Sequence, residues 1–136
     1  MALELVVVTP EGEAFSEAVQ QVVLPGEAGR FGVLESHERF LTPLVRGPMQ
    51  IIKPGGATDW AALSSGFAEV DGQKVIVLVD GCAMKSDIDR NASENRRAEA
   101  AGRLVSLADT PENAGERLRL SEVVATAELE LEVAAL

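Results

Sequence analysis

The chain has 136 residues, 46% apolar and 25% charged, enough for one ordinary core with a small appendage and too few for two large domains. Twelve basic against twenty-two acidic residues leave a net charge of −10, which repels a nucleic-acid backbone or an anionic lipid surface, and aromatics at 4% offer few stacking platforms. A single cysteine, Cys82, excludes an internal disulfide, and a single histidine, His37, excludes a histidine-rich metal site, so no metal is expected. The longest apolar run, Val75 to Val79, falls far short of the roughly 20 residues that cross a bilayer, and the N-terminus enters a β-branched stretch without a targeting pattern. The expectation is a protein that inserts in no membrane and stays where it is made.

From Leu3 to about Met84 the sequence is written in strand-length phrases: Leu3 to Val8, Ala18 to Leu24, Arg30 to Leu34, Phe40 to Val45, Met49 to Lys53, Thr58 to Ser64, Gly66 to Val70 and Lys74 to Val79. Turn residues separate them at Pro10-Glu11-Gly12, Pro25-Gly26, Gly47-Pro48, Pro54-Gly55-Gly56 and Asp71-Gly72, the last a two-residue hairpin signal. Strands at this spacing predict an antiparallel β-sandwich or flattened barrel over residues 1–84. At Lys85 the pattern changes. Glycine and proline thin out, and apolar residues fall into steps of three and four, which predicts two helices over residues 85–136. The first is expected to start at Asp87 as cap and to run to about Ala108 with Ala92, Ala98, Ala101, Leu104 and Val105 on one side. The second has Thr110 as cap, Pro111 at its first position and an apolar stripe of Leu120, Val124, Ala127, Leu131 and Ala134. The short link between them predicts an antiparallel hairpin. Both parts are acidic, with five basic against eleven acidic residues in 1–84 and seven against eleven in 85–136.

Candidate chemistry is sparse. His37 has Ser36, Glu35 and Glu38 beside it in sequence, but no nucleophile elbow is present, and neighbours in sequence are rarely catalytic partners in space. The glycine-containing stretch Pro25 to Gly32 precedes a strand and lacks a G-K-[ST] sequence, so it reads as a shaped turn rather than a phosphate cradle. Cys82 reads as a small buried hydrophobe and Trp60 as a core or subunit contact. Arg90, Arg96, Arg97 and Arg103 are interleaved with Asp87, Asp89, Glu94 and Glu99, the pattern of intrahelical ion pairs on a solvated face.

Several phrases taken together resemble the ε subunit of bacterial F-type ATP synthases. They are Val7-Val8-Thr9-Pro10-Glu11-Gly12 with Phe15-Ser16, the block from Val23 to Leu34 leading to His37, Ser65 to Val70, Lys74 to Asp80, and an Ala-rich two-helix tail. The block from Pro25 to His37 is the specific part. The resemblance spans nearly the whole chain and implies a ten-stranded sandwich with a helical hairpin, acting as a non-catalytic rotor part between the γ subunit and the c-ring. It implies that Thr9, His37 and Thr42 lie on the γ-facing side and that the loop carrying Glu27, Arg30 and Phe31 approaches the c-ring. It also implies a peripheral position on the cytoplasmic face of the bacterial inner membrane, held by protein contacts.

Two further expectations rest on this resemblance. Some members of the family bind ATP through an I/L-D-x-x-R-A pattern, whereas Ile88-Asp89-Arg90-Asn91 is followed here by Ala92-Ser93, with the arginine missing from its slot; Arg90 or Arg96 would have to replace it, so no nucleotide cofactor is expected. Some members inhibit ATP hydrolysis by extending the helices toward the α and β subunits. Here the second helix offers Arg117 and Arg119 against six glutamates, so weak intrinsic inhibition is expected. The rival reading is a stand-alone β-sandwich enzyme or small-ligand binder that uses His37 with neighbouring carboxylates.

Overall fold

The computed structural model describes residues 3–35 and 39–136, so His37 lies outside the described residues. The chain forms two compact units, Met1–Lys85 and Ser86–Leu136.

Ten strands build the first unit: β1 (Leu3–Thr9), β2 (Gly12–Val19), β3 (Gln21–Gly26), β4 (Gly29–Leu34), β5 (Phe40–Leu44), β6 (Gly47–Ile52), β7 (Thr58–Leu63), β8 (Gly66–Val70), β9 (Lys74–Val79) and β10 (Cys82–Met84). They are joined in the order β10-β7-β6-β3-β5-β8-β9-β1-β2, with β4 on the other edge of β3. Only one residue pair, Gly26 with Leu44, links β3 to β5. The sheet therefore folds there into two layers, β10-β7-β6-β3-β4 and β5-β8-β9-β1-β2. Leu5, Val7, Val75 and Val77 from one layer and Val22, Leu24, Met49 and Ile51 from the other share a single core and are fully buried. Alternation along each strand puts these residues on one face.

The sandwich is antiparallel except for β1 and β9, which pair in parallel, Glu4 with Lys74 through Val8 with Leu78. The predicted phrase Ala18 to Leu24 is two strands that meet at Gln20, and β2 before it is a new element. It escaped the sequence reading because it is an edge strand with only Phe15 and Val19 buried, too few apolar residues to mark a period. β10 was also unforeseen, being three residues on the edge of β7. The expected hairpin at Asp71 joins β8 to β9, with the Asp71 carboxylate accepting from the backbone N–H of Gln73 at 3.3 Å and of Lys74 at 2.8 Å. At the other end of that pair Gly66 lies so close to β9 that a Cβ there would stand 1.9 Å from the carbonyl oxygen of Leu78.

In the second unit, a 3-10 turn at Lys85–Asp87 leads toward α1 (Arg90–Ser106), and a 3-10 turn at Pro111–Asn113 opens α2 (Ala114–Ala134). The expected cap Asp87 sits in the 3-10 turn; Asp89 does the capping, its carboxylate accepting from the Ala92 N–H at 3.1 Å, because Asp89 has the extended backbone a cap needs. Thr110 stands at the cap position before Pro111 but its hydroxyl makes no capping bond.

The expected seam of α1 is also corrected. Val105 is 89% exposed, Ala98 is exposed, and the buried positions are Ser93 and Ala100. The inward line runs through Ser93, Arg97, Ala100, Leu104 and Leu107, in steps of four and three that a search for apolar residues passes over because two members are polar. Along α2 the expected Leu120 and Ala127 are buried, Val124, Leu131 and Ala134 are half-buried, and Leu129 and Val133 are buried in addition.

Candidate partner-binding surfaces

Three surfaces stand out, two on the sandwich and one on the hairpin. The first is the outward face of β5, β8, β9 and β1. Strand register carries Pro43 to Phe67, Phe67 to Leu78 and Leu78 to Val8, and the adjacent row runs Leu41, Glu69, Ile76, Val6. Both rows face away from the core. Leu41 is 68% exposed, Phe67 53% and Leu78 50%, so neighbouring strands present an apolar band to solvent. Large apolar patches of this kind mark contact surfaces in soluble proteins. At the end of these strands lies an open groove of about 660 Å³ lined by residues that include Thr9, Ser65, Gly66, Phe67 and Asp80. Thr9 is thus at the rim of this face. Thr42 is in the same layer but in the inward register opposite Ala68, half-buried. The sequence did carry a signal for this band: the unbroken run Val75 to Val79 puts apolar side chains on both faces of β9.

The second surface is the tip of the β3–β4 hairpin. Gly26 pairs with Gly29 around the two-residue loop Glu27-Ala28, and Gly29 takes a φ of +128° that a side chain would resist. The glycine stretch is therefore the shaped turn expected from the sequence. Glu27, Ala28, Gly29 and Arg30 are all exposed. The base of the hairpin is held by the Val45 N–H donating to the Pro25 carbonyl at 2.9 Å and by Phe31, which meets Phe40 edge-on at 5.7 Å and is half-buried. Arg30 does not point freely outward: its guanidinium carbon lies 5.8 Å from the ring centroid of Trp60.

The third is the hairpin of α1 and α2, antiparallel as its cross-links show. Arg96 donates to Glu130 at 2.9 Å and to the Ser93 hydroxyl at 3.1 Å, and that fully buried hydroxyl donates to Glu130 at 3.2 Å. Arg103 donates to Glu116 at 3.2 Å, and Arg119 shares the same carboxylate at 2.8 Å. Arg117 donates to the carbonyls of Leu104 at 3.1 Å and Leu107 at 2.6 Å, the unsatisfied C-terminal end of α1. The intrahelical pairing expected for the first helix is present at Glu94–Arg97, and the second helix adds Glu116–Arg119, but Arg96, Arg103 and Arg117 reach across to the partner helix. Hydrogen bonds from Arg97 and Arg119 hold the Glu94 and Glu116 carboxyls below the usual range. Of the residues named for a nucleotide, Asp89 is engaged as a helix cap and Arg96 by Glu130, while Ile88 is half-buried and Arg90 exposed just past the cap. Cys82 is half-buried against the core rather than fully buried, and desolvation pushes its thiol up to about 11. Among the described residues no group of three or more His, Cys, Asp or Glu side chains could hold a metal.

The fold is a β-sandwich followed by a two-helix hairpin, with an exposed apolar band on the sandwich. The family model for the ATP synthase Delta/Epsilon chain beta-sandwich domain matches residues 2–85. The ATP synthase epsilon chain of Prochlorococcus marinus is 32% identical over 90% of this chain and 90% of its own length, and that of Desulfosudis oleivorans is 41% identical over 76% and 78%. A chain in the mitochondrial ATP synthase of Euglena gracilis, solved as an OSCP/F1/c-ring assembly, shares the fold with a TM-score of 0.66 at 22% identity, over 98% of this chain and 78% of that one. The chain belongs to the ATP synthase epsilon chain family. It is therefore a non-catalytic subunit, which sets aside the rival reading of a His37-based enzyme.

Proposed function

We infer that this chain is a rotor element that couples the γ subunit to the c-ring, with residues 1–84 making the contacts and residues 85–136 a hairpin of little inhibitory power. The observation that carries the reading is the exposed apolar band of Leu41, Phe67 and Leu78, since a band this apolar on a net acidic protein favours burial against a partner. The γ subunit is the occupant, with Thr9 at the rim, Thr42 in the same layer and His37 carried over from the family resemblance. The β3–β4 tip faces the c-ring, with Glu27 at its end and Arg30 and Phe31 behind it. Replacing Phe67 and Leu78 by aspartate on this solvent-facing surface should leave the sandwich folded and abolish capture of purified γ at stoichiometric ratio; capture at undiminished affinity would refute the assignment.

The hairpin is proposed to bind no nucleotide and to inhibit ATP hydrolysis weakly. Support comes from the engagement of Asp89 and Arg96 within the hairpin and from Arg117 and Arg119, whose donors are spent on α1 and Glu116. The last ten residues carry no base that could meet an acidic partner, so like charge opposes docking there. Truncation before Asp87 should leave hydrolysis by the assembled enzyme little changed, and a severalfold rise would overturn this reading. Among the described residues no helix is long and apolar enough to cross a membrane; the place proposed for the chain is peripheral, on the cytoplasmic face of the bacterial inner membrane, held through γ and the c-ring.

A further inference from the structure

We propose that Arg30 is a positioning residue for the β3–β4 tip, and that it sets the charge with which the tip meets its partner. This rests on the reading that the tip faces the c-ring. Arg30 is in β4 and Trp60 in β7, and pairing runs β4 to β3, β3 to β6 and β6 to β7. Three strand spacings, about 14 Å, separate their backbones. Both side chains belong to the outward register, Trp60 opposite Gln50 and Arg30 opposite Pro25, and they close that gap to bring the guanidinium within 5.8 Å of the indole centroid. An arginine that leans this far across a sheet is a strap. It ties the hairpin to β7, three strands away in the same layer.

The strap has two consequences. It resists sideways motion of a two-residue loop that is otherwise held by a long Glu27 N–H to Pro43 carbonyl hydrogen bond of 3.4 Å and, at its base, by the Phe31–Phe40 contact and the Val45–Pro25 hydrogen bond. It also moves the positive charge of Arg30 back over β7, so that the exposed carboxylate of Glu27 is the charge presented at the tip itself. The partner chemistry that fits is a basic or hydrogen-bond-donating loop rather than an acidic one. A solvent-accessible cation over the half-buried indole favours the strapped tip by about 2- to 5-fold over the free one.

Trp60 is the only tryptophan, so its emission in the full-length chain reports the strap directly. Arg30→Gln should raise acrylamide quenching of Trp60 and Arg30→Lys should restore part of the shielding; an Arg30→Gln protein with unchanged quenching overturns the strap whatever the tip touches. In assembled ATP synthase carrying Cys82→Ser, a cysteine in place of Glu27 should cross-link to the c subunit. Adding Arg30→Gln should lower that yield by about the same 2- to 5-fold, and Arg30→Lys should recover it. A yield indifferent to residue 30 overturns the positioning role. Absence of any cross-link with Arg30 intact overturns the tip-to-ring reading and the functional half of the proposal with it, a failure told apart from loss of the strap because Trp60 quenching still responds to Arg30→Gln.

Discussion

The sandwich and the hairpin hold themselves together by different means. In the sandwich, Leu3, Leu5, Leu24, Met49, Ile51 and Leu63 are all fully buried, and ion pairs such as Lys53–Asp59 and Lys74–Glu4 are loose, each at 4.0 Å. In the hairpin, the buried residues are Ser93 and Ala100 on α1 and Leu120, Ala127, Leu129 and Val133 on α2, and arginines cross-link the two helices. Apolar burial stabilises roughly in proportion to area and is indifferent to pH, whereas exposed ion pairs contribute ~1 kcal/mol or less each and depend on protonation and salt. The lesson is that the sandwich is held by burial that pH and salt leave alone, while closure of the hairpin draws in part on ion pairs that respond to both.

That contrast can be broken from either side. The largest effect is expected in the sandwich core: Leu63→Ala, at a position with no exposure, should cost about 2–5 kcal/mol in chemical denaturation, because the close-packed layers cannot collapse onto the gap. A loss below ~1 kcal/mol would mean that the core is looser than its burial implies. Next comes Arg117→Met in the hairpin. Removing a charged donor from the carbonyls of Leu104 and Leu107 should cost about 1.5–3 kcal/mol and appear in the helical circular-dichroism signal, with the sandwich unaffected. Equal loss in both signals would erase the distinction drawn between the units.

A smaller effect, about 1 kcal/mol, is expected for Asp89→Ala, which leaves the first turn of α1 without its cap; Asp87→Ala should be near neutral, and the reverse order would restore the cap to Asp87. The smallest is acid sensitivity. Glu94 and Glu116 have folded-state values lowered from 4.5 by hydrogen bonds from Arg97 and Arg119, so their contribution is present above 4.5 and is lost as pH falls through the lowered values. Helicity of the hairpin should decline on acid titration in that window before the near-ultraviolet signal of Trp60 changes. Simultaneous loss would count against ionic closure.

Much of the architecture was legible in the sequence, for reasons visible in particular residues. Turn chemistry at Pro25-Gly26 and Asp71-Gly72 marked real hairpins, and the change of period at Lys85 marked the start of the helical region. The edge strand β2 was not legible, because an exposed strand has no need to alternate. The α1 seam was misjudged because a polar pair, Ser93 and Arg97, occupies positions where apolar residues were sought. Of the expected contact residues, Thr9 lies at a groove and Glu27 at a tip, but the apolar band of Leu41, Phe67 and Leu78 was passed over, since each is an ordinary strand residue until register lines them up.

By itself the sequence determined most of the elements, the change of period at Lys85, the absence of an internal disulfide and the acidic balance, all of which follow from local sterics, composition and counting. Tertiary structure alone decided which strands became neighbours, that β1 and β9 run in parallel, and that the guanidinium of Arg30 rests over an indole three strands away. The reason is physical. Local propensity acts over a few residues, whereas pairing between distant strands is fixed only when the whole apolar set is buried together, and the partners of long side chains are chosen after that burial has set the register.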